Sequence, residues 1–449
     1  MSARIQAASW TAMALLAGVS PLTAQLGSYN PPAGPQETVA IRGAMIHPVS
    51  GPVLPRGTIV ISEGKIVAVG AEVTVPAGAR VIDGAGLHVW PGMMDAGTTM
   101  GLSEIGQGAA GTVDASETGN INPNAQAING INPHSAHIGV TRVVGITHVV
   151  SSPRSGAISG QAALINLVGD TPPLMAVVPN LAMYMTLPRS GFGRGFGGGF
   201  GNFGQQPGNT QDADRARKAQ LDSLTQLFSD AKAYGKAHDA YAKDATLPRP
   251  RHDLQLAALL PMLRGEMPVM FSADRVTDIR AAITFAAENG LNPIIVGGRD
   301  AWMMTDELKE KDVPVILTGV MALPGLEDDS YDVNFSAPAK LAAAGVRFAI
   351  TSGDAGSEAR NLPYVAGMAA AFGLSSTDAL KAVTLAPAEI FGVADRLGSL
   401  ETGKIANLVV TNGDILEART LTRHLFIDGR EVPLGNKHEQ LYEMFIGRP

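Results

Sequence analysis

The chain of 449 residues contains no cysteine, and only 5% of its residues are aromatic. A chain of this length can bury a large apolar core without disulfide bonds, so the absence of cysteine is compatible with either a reducing or an oxidising compartment. The formal net charge of -7 argues against a general affinity for nucleic acid. With 45% hydrophobic residues, the composition is that of an ordinary soluble globular protein.

The sequence also lacks an apolar segment of the roughly 20 residues that a membrane span requires. The run from Trp10 to Val19 is too short for that, but it follows the positive charge of Arg4 and precedes the small-residue stretch Leu22-Thr23-Ala24. This order is typical of a secretory signal peptide. We therefore predict a signal peptide at residues 1–24, a linker at residues 25–38, and a mature protein that is periplasmic or secreted.

Two regions differ in their strand and helix patterns. Val39 to Val89 contains short β-branched runs separated by turns such as Glu63-Gly64, which predicts a small β domain. From Val143 onward apolar strand runs alternate with helices, as in a parallel sheet with crossover helices. The candidate strands are 147–150, 163–167, 269–271, 293–296, 315–317 and 347–350.

The helices between these strands carry recognisable end signals. Ile279, Ile283 and Ala286 share one helical face, and Gly290 is placed to end that helix. Ser375 to Asp378 resembles a capping box. Asp212 to Asp244 is predicted to be helical. Periodicity alone allows either a doubly wound sheet or a closed barrel.

An insertion at residues 190–208 has a different composition. Its four phenylalanines are separated by glycines, and Arg194 is its only charged residue. Such a composition favours a surface loop without a stable core of its own, and a lid or a contact for another protein is the alternative.

Three motifs resemble the amidohydrolase superfamily. Pro91-Gly92-Met93-Met94-Asp95-Ala96-Gly97-Thr98-Thr99 resembles the family's first barrel strand, PG-x-x-D-x-H-x-H. Residues 64–70, GKIVAVG, resemble a G-K-I-x-x-V-G hairpin, and residues 397–410 resemble the closing strand G-S-I-x-x-G-K-x-A-D-L-V-V, with Asn407 at the usual aspartate. The resemblance implies an α/β fold: a (β/α)₈ TIM-type barrel at residues 91–397, with a small composite β-sandwich domain from residues 39–90 and 398–449.

The resemblance also implies a metal site that this sequence does not complete. Intact family members use a divalent metal such as zinc, held by two histidines of strand one, one each of strands five and six, and an aspartate of strand eight. The matching positions here are Gly97, Thr99, Ser272, Gly297 and Asp354. Only Asp354 is a usual ligand, and a catalytic zinc needs about three protein ligands. We therefore predict no metal and no cofactor, with Asp354 as the remaining catalytic residue of the family pattern.

Two other routes to catalysis remain open in the sequence. His134 and His137 have a spacing that could chelate a metal on a helix, and His148 lies near the end of a candidate strand, although capping or surface roles are the simpler reading. Ser159 and Ser272 are candidate nucleophiles, but no G-x-S-x-G elbow surrounds either of them.

Polar residues near the presumed carboxyl ends of the strands are candidates for ligand binding, because barrels of this type place their sites there. We predict Ser272 and Arg275 as ligand-binding residues and expect Arg275 to pair with Asp354, since both lie inside the family motifs. The other residues in this group are Glu104, Asp274, Arg299, Glu358 and Arg360.

The first functional hypothesis is an exported, catalytically degenerate amidohydrolase-like protein that acts as a binding or partner subunit. The resemblance itself implies a hydrolase of carbon–nitrogen bonds other than peptide bonds, and an active enzyme with a relocated metal or a metal-free site is the alternative. A solute-binding protein is a third reading. The expected partners are a small-molecule ligand, a second copy of the chain or an intact amidohydrolase paralogue.

Overall fold

The computed structural model describes residues 30, 32–105, 110–188 and 210–448. The predicted signal peptide at residues 1–24 and the Gly/Phe-rich insertion at residues 190–208 lie outside the described residues. Within the described residues no helix is both long and apolar enough to cross a membrane.

The described residues form two eight-stranded sheets. The sheet of the small domain contains strands from both chain ends, which are β1 (Val39–Ile46), β2 (Leu54–Ser62), β3 (Lys65–Gly70), β4 (Arg80–Asp83), β5 (His88–Pro91), β14 (Leu408–Thr411), β15 (Thr422–Ile427) and β16 (Arg430–Glu431). The barrel strands are β6 (Met93–Thr98), β7 (Ile146–Ser151), β8 (Ile158–Asn166), β9 (Ala176–Met185), β10 (Val269–Ala273), β11 (Pro293–Gly297), β12 (Val315–Leu317) and β13 (Phe348–Ile350).

The helices lie mainly between and after the barrel strands. They are α1 (Ala127–Gly130), α2 (Ala136–Arg142), α3 (Pro172–Met175), α4 (Thr210–Lys243), α5 (Leu254–Leu263), α6 (Val276–Asn289), α7 (Thr305–Glu310), α8 (Val333–Ala344), α9 (Leu362–Ala371), α10 (Ser376–Ala382), α11 (Leu385–Ile390) and α12 (Lys437–Ile446). Short 3₁₀ helices span Ala110–Thr112, Ala301–Met303 and Gly356–Asn361.

The small domain is β-sandwich-like and joins the two chain ends through one strand pair. In that pair β14 runs antiparallel to β5, with Val409 opposite Trp90. Its core consists of β-branched and other apolar side chains such as Ile41, Ile59 and Phe426, all fully buried. The predicted composite domain from both chain ends is confirmed.

The second sheet is a nearly closed barrel in which β6 to β13 follow one another in chain order. Alternate residues of its strands point to opposite faces, so Met270, Ile294 and Ile316 fill the interior while Phe271, Ile295 and Val315 pack against the helices. Such burial on both faces is typical of strands covered by crossover helices. The TIM-type barrel is thus confirmed.

One strand departs from a regular (β/α)₈ barrel. β8 runs antiparallel to both β7 and β9, whereas the pairs from β9 to β13 are parallel. No helix lies between β7 and β8, and only the four-residue α3 lies between β8 and β9. Without a crossover helix the chain must return directly, which forces an antiparallel neighbour.

The predicted helix ends are confirmed. α6 ends at Gly290, whose φ of 71° is the left-handed conformation that favours glycine at this position. α10 begins after Ser375, whose side chain accepts a hydrogen bond from the backbone N–H of Asp378. The predicted helix over Asp212 to Asp244 corresponds to α4.

Candidate functional site

The strands β6, β7 and β9 to β13 direct their carboxyl ends to one face of the barrel, which we call the barrel mouth. Asp354 lies at this mouth, four residues after the end of β13. Its side chain is 69% exposed, and its Oδ1 lies 3.2 Å from Nη2 of Arg154. Arg154 follows β7 by three residues, so the loops after strands two and eight of the barrel bring this ion pair together.

Arg154 is fixed on three sides. Its Nη1 donates a hydrogen bond to Oγ of Ser152 at 2.9 Å, and its guanidinium carbon lies 4.1 Å from the centre of the Tyr184 ring. A cation in that position is attracted by the ring face. Tyr184 is in turn hydrogen-bonded to Ser272, and burial raises the pKa of Tyr184.

Ser272 therefore lies at the mouth, where its ligand-binding role stays a prediction, but Arg275 is not part of the same group. Arg275 lies at the start of α6 with its Nη1 3.7 Å from Oδ2 of Asp300. The predicted pair of Arg275 with Asp354 is wrong, because each of these residues has a different partner. Arg154, rather than Arg275, lies beside Asp354.

The four positions at which the resemblance predicts metal-binding histidines carry no imidazole in this sequence. Gly97 has room, since a Cβ there would have only Oγ1 of Thr351 within reach, at 4.0 Å. Thr99 has both its backbone N–H and its hydroxyl bound to the carbonyl oxygen of Asp354, at 2.8 and 3.1 Å. Neither position carries an imidazole, a carboxylate or a thiolate, which are the side-chain groups that bind zinc in proteins.

Gly297 is closed to any side chain. Its φ is 110°, and a Cβ would lie 2.6 Å from Oδ1 of Asp274. Together with Ser272, this leaves Asp354 as the single usual ligand, already paired with a guanidinium. The residues present do not fit a divalent metal.

Of the alternative histidine ligands, His137 is engaged elsewhere and His134 is exposed. Nε2 of His137 lies 3.1 Å from the carbonyl oxygen of Glu104, and the backbone N–H of His134 donates to Asn132 in a turn. Ser135, between them, caps α2. Among the described residues no group of three or more histidine, aspartate or glutamate side chains is arranged to hold a metal.

His148 lies at the interface, or seam, between the barrel and the small domain. Its Nδ1 is 2.7 Å from the hydroxyl of Thr147, and its Nε2 is hydrogen-bonded to Asn407. Burial lowers the pKa of His148 to about 3. It is a neutral buried residue that joins the domains, which is a structural role.

The candidate nucleophile Ser159 is also structural. It is 1% exposed, and its Oγ accepts a hydrogen bond from the backbone N–H of Ser155 at 3.1 Å. An activated serine needs a base within hydrogen-bond reach, and no described hydrogen bond joins Ser159 to a histidine or carboxylate.

A buried carboxylate closes the barrel between its first and last strands. Asp95 of β6 is fully buried and accepts hydrogen bonds from the hydroxyls of Thr351 and Ser352. Burial raises the pKa of Asp95 to about 6, although these hydrogen bonds act in the opposite direction. Its side chain thus joins β6 to the residues that directly follow β13.

A cavity of about 510 Å³ lies beside the mouth at the carboxyl ends of β12 and β13. Its polar lining includes Thr318, Ser352, Glu358, Asn361 and Tyr364. Pockets for small ligands have volumes of roughly 300–1,000 Å³. The mouth therefore combines a fixed cation with a neighbouring cavity of the size that a small molecule requires.

Comparison with known proteins connects this geometry to a family. The sequence matches the amidohydrolase family over residues 279–432, a stretch that includes Gly297 and Asp354 but none of Gly97, Thr99 or Ser272. No protein of curated function matches the sequence.

Several solved structures share the fold. An amidohydrolase from Thermotoga maritima MSB8 is 26% identical with a TM-score of 0.75, and the match covers 88% of this chain and 99% of that one. A putative prolidase from Bifidobacterium longum is 18% identical, with a TM-score of 0.52 and coverage of 92% and 99%. Phenylurea hydrolase B is 16% identical, with a TM-score of 0.53 and coverage of 88% and 97%. The last two likenesses concern the fold alone.

Proposed function

Since the chain is a member of the amidohydrolase superfamily, we propose that it is an exported, catalytically degenerate protein that binds a small molecule at its barrel mouth. The observation that carries this proposal is the replacement of the metal ligands. Gly97, Thr99, Ser272 and Gly297 stand where the family has histidines, and the remaining Asp354 is paired with Arg154.

The charge of Arg154 disfavours a bound metal further, in addition to the lack of metal ligands. Two unit charges about 4 Å apart near a protein surface interact by roughly 4 kcal/mol, so a divalent ion bound to Asp354 would be repelled by the guanidinium of Arg154. Without the ion, no bound water has its pKa lowered, and Asp354 has no activated water to deprotonate. Hydrolysis by the family's usual route is thereby lost.

We propose in addition that the protein is exported and acts outside the cytoplasm, as a binding protein or as the non-catalytic subunit of an assembly. The support for export is the sequence of residues 1–24, with its positive start, short apolar run and small-residue cleavage site. The partner in an assembly would be a second copy of the chain or an intact amidohydrolase paralogue.

The competing proposal is an active hydrolase of carbon–nitrogen bonds that uses a relocated metal or a metal-free site. Asp354 supports this competing proposal, because the residue is retained and its side chain is 69% exposed at the mouth. Its substrates would be those of the superfamily in general, such as dipeptides, lactams and N-acyl amino acids.

One experiment separates the two proposals. The mature protein and its Asp354→Asn variant are incubated with dipeptides, lactams and N-acyl amino acids, with and without added zinc or manganese, and binding is followed by thermal shift. We expect no turnover by either protein and stabilisation by at least one compound. Turnover by the wild-type protein that disappears in Asp354→Asn, with the fold intact, would establish the hydrolase instead.

A further inference from the structure

The guanidinium of Arg154 has donors to spare. An arginine offers five N–H groups, and those of Arg154 have two described side-chain acceptors, Ser152 and Asp354. Its Nε is buried and has no hydrogen-bond partner among the described residues. Each of the two terminal nitrogens carries two hydrogens and has one described side-chain acceptor, so donors remain for an additional acceptor on Nη1 and Nη2.

The orientation of this side chain is set before any ligand arrives. The Tyr184 ring lies against the guanidinium at 4.1 Å, Ser152 holds Nη1 at 2.9 Å, and the side chain is only 17% exposed. A planar guanidinium that is held in this way loses little freedom on binding, and its geometry matches a carboxylate.

The guanidinium of Arg154 is already paired with a carboxylate. Asp354 contacts Nη2 through a single oxygen at 3.2 Å, and this carboxylate is mostly exposed. Because the carboxylate of Asp354 is mostly exposed, water competes for it, and we expect its pairing with Arg154 to be favoured by no more than about fivefold. Another carboxylate that can take both oxygens to the same guanidinium can therefore displace Asp354.

We propose that Arg154 takes the place of the missing metal as the cation of this barrel, and that its guanidinium binds the carboxylate of a small-molecule ligand in exchange for Asp354. The inference rests on the proposed function, since it names the ligand class for the same mouth. The neighbouring cavity, lined by Thr318 and Tyr364 among others, accommodates the remainder of such a ligand.

The test uses N-acetylglycine as the carboxylate probe and N-acetylglycinamide as its neutral counterpart, each titrated into the mature protein by calorimetry. We expect binding of the acid and at least about tenfold weaker binding of the amide, because the charged pair is lost. Asp354→Asn removes the internal competitor and should strengthen binding of the acid by about three- to fivefold.

Variants of the arginine complete the test. Arg154→Met should abolish binding of the acid, and Arg154→Lys should weaken it about tenfold because a lysine lacks the planar pair of donors. Arg280→Met is the matched control, since Arg280 lies on α6 and pairs with Glu307 rather than with a residue of the mouth. It should leave binding unchanged.

Each outcome decides between the claims. Three results would overturn the assignment of Arg154. They are equal binding of the acid and the amide, no binding of the acid to either wild type or Asp354→Asn, and weaker binding of the acid to Asp354→Asn than to wild type. Asp354→Asn tests an exposed position, so this arm stands even when a substitution at Arg154 prevents folding. Failure of the proposed function would differ, since it would appear as Asp354-dependent turnover.

Discussion

Replacement of His148 by glutamine tests the seam between the two domains. His148 is 2% exposed, and its ring nitrogens are bound by Thr147 and by Asn407, which directly precedes β14. Burial lowers its pKa from 6.5 to about 3. The folded chain therefore keeps this ring neutral at pH values at which the unfolded chain protonates it.

The sign and size of the effect follow from proton linkage. Folding lowers the pKa of this histidine because it buries the neutral ring. Such a group stabilises the folded state fully at pH values above its pKa in the unfolded chain. The stabilisation is lost as the pH falls toward its pKa in the folded chain. With pKa values of 6.5 and about 3, the free energy of unfolding should decrease by about 2 kcal/mol between pH 8 and pH 5 on account of this residue.

The assay is urea denaturation of wild type and His148→Gln at both pH values, followed by intrinsic fluorescence. The constant cost of the substitution and the titration of all other groups cancel in the comparison, so the variant should lose about 2 kcal/mol less than wild type between pH 8 and pH 5. His252→Gln, at an exposed position, is the control and should behave as wild type does. Equal losses in His148→Gln and wild type would refute the reasoning.

Three further predictions concern other parts of the chain. Burial raises the pKa of Asp95 from 3.8 to about 6, so the free energy of unfolding of wild type should fall by up to about 3 kcal/mol relative to Asp95→Asn as the pH rises from below 4 to 7. A difference between the two proteins that stays constant with pH in urea denaturation would contradict this. Asn407→Asp places a carboxylate at Nε2 of His148, which favours the protonated ring. The decrease in the free energy of unfolding between pH 8 and pH 5 should therefore become smaller, and an unchanged decrease would count against the contact between these two residues. The mature protein should begin near Gln25, which N-terminal sequencing of protein from the native cell checks, and an intact Met1 would rule out the signal peptide.

Much of the fold could be predicted because its signals are local. The strand at 315–317 has the predicted bounds, and Gly290 and Ser375 end and begin helices as their residue types indicate. The composite domain followed from motifs at both chain ends. The direction of β8 could not be predicted, because the short apolar run at residues 162–165 fits a parallel or an antiparallel neighbour equally well.

The site was only partly predictable. Asp354 and Ser272 were found because they lie in family motifs, but Arg154 and Tyr184 were missed. Their contact joins the loop after β7 to the end of β9, and a pair so distant in sequence has no periodic signal. Arg154 could have been noticed as a cation directly after a buried strand. The pairing of Arg275 was wrong because Asp300, beside it at the start of the next loop, is the nearer carboxylate.

Metal analysis of the purified mature protein tests the central claim most directly. With glycine, threonine, serine and glycine at the histidine positions and Arg154 on the remaining aspartate, we predict less than about 0.2 equivalents of tightly held zinc, manganese or iron per chain. One equivalent that survives dialysis and is lost in Asp354→Asn would contradict the account and show that the barrel mouth is a metal centre. One equivalent lost in the double variant His134→Ala with His137→Ala would contradict it in favour of a relocated site.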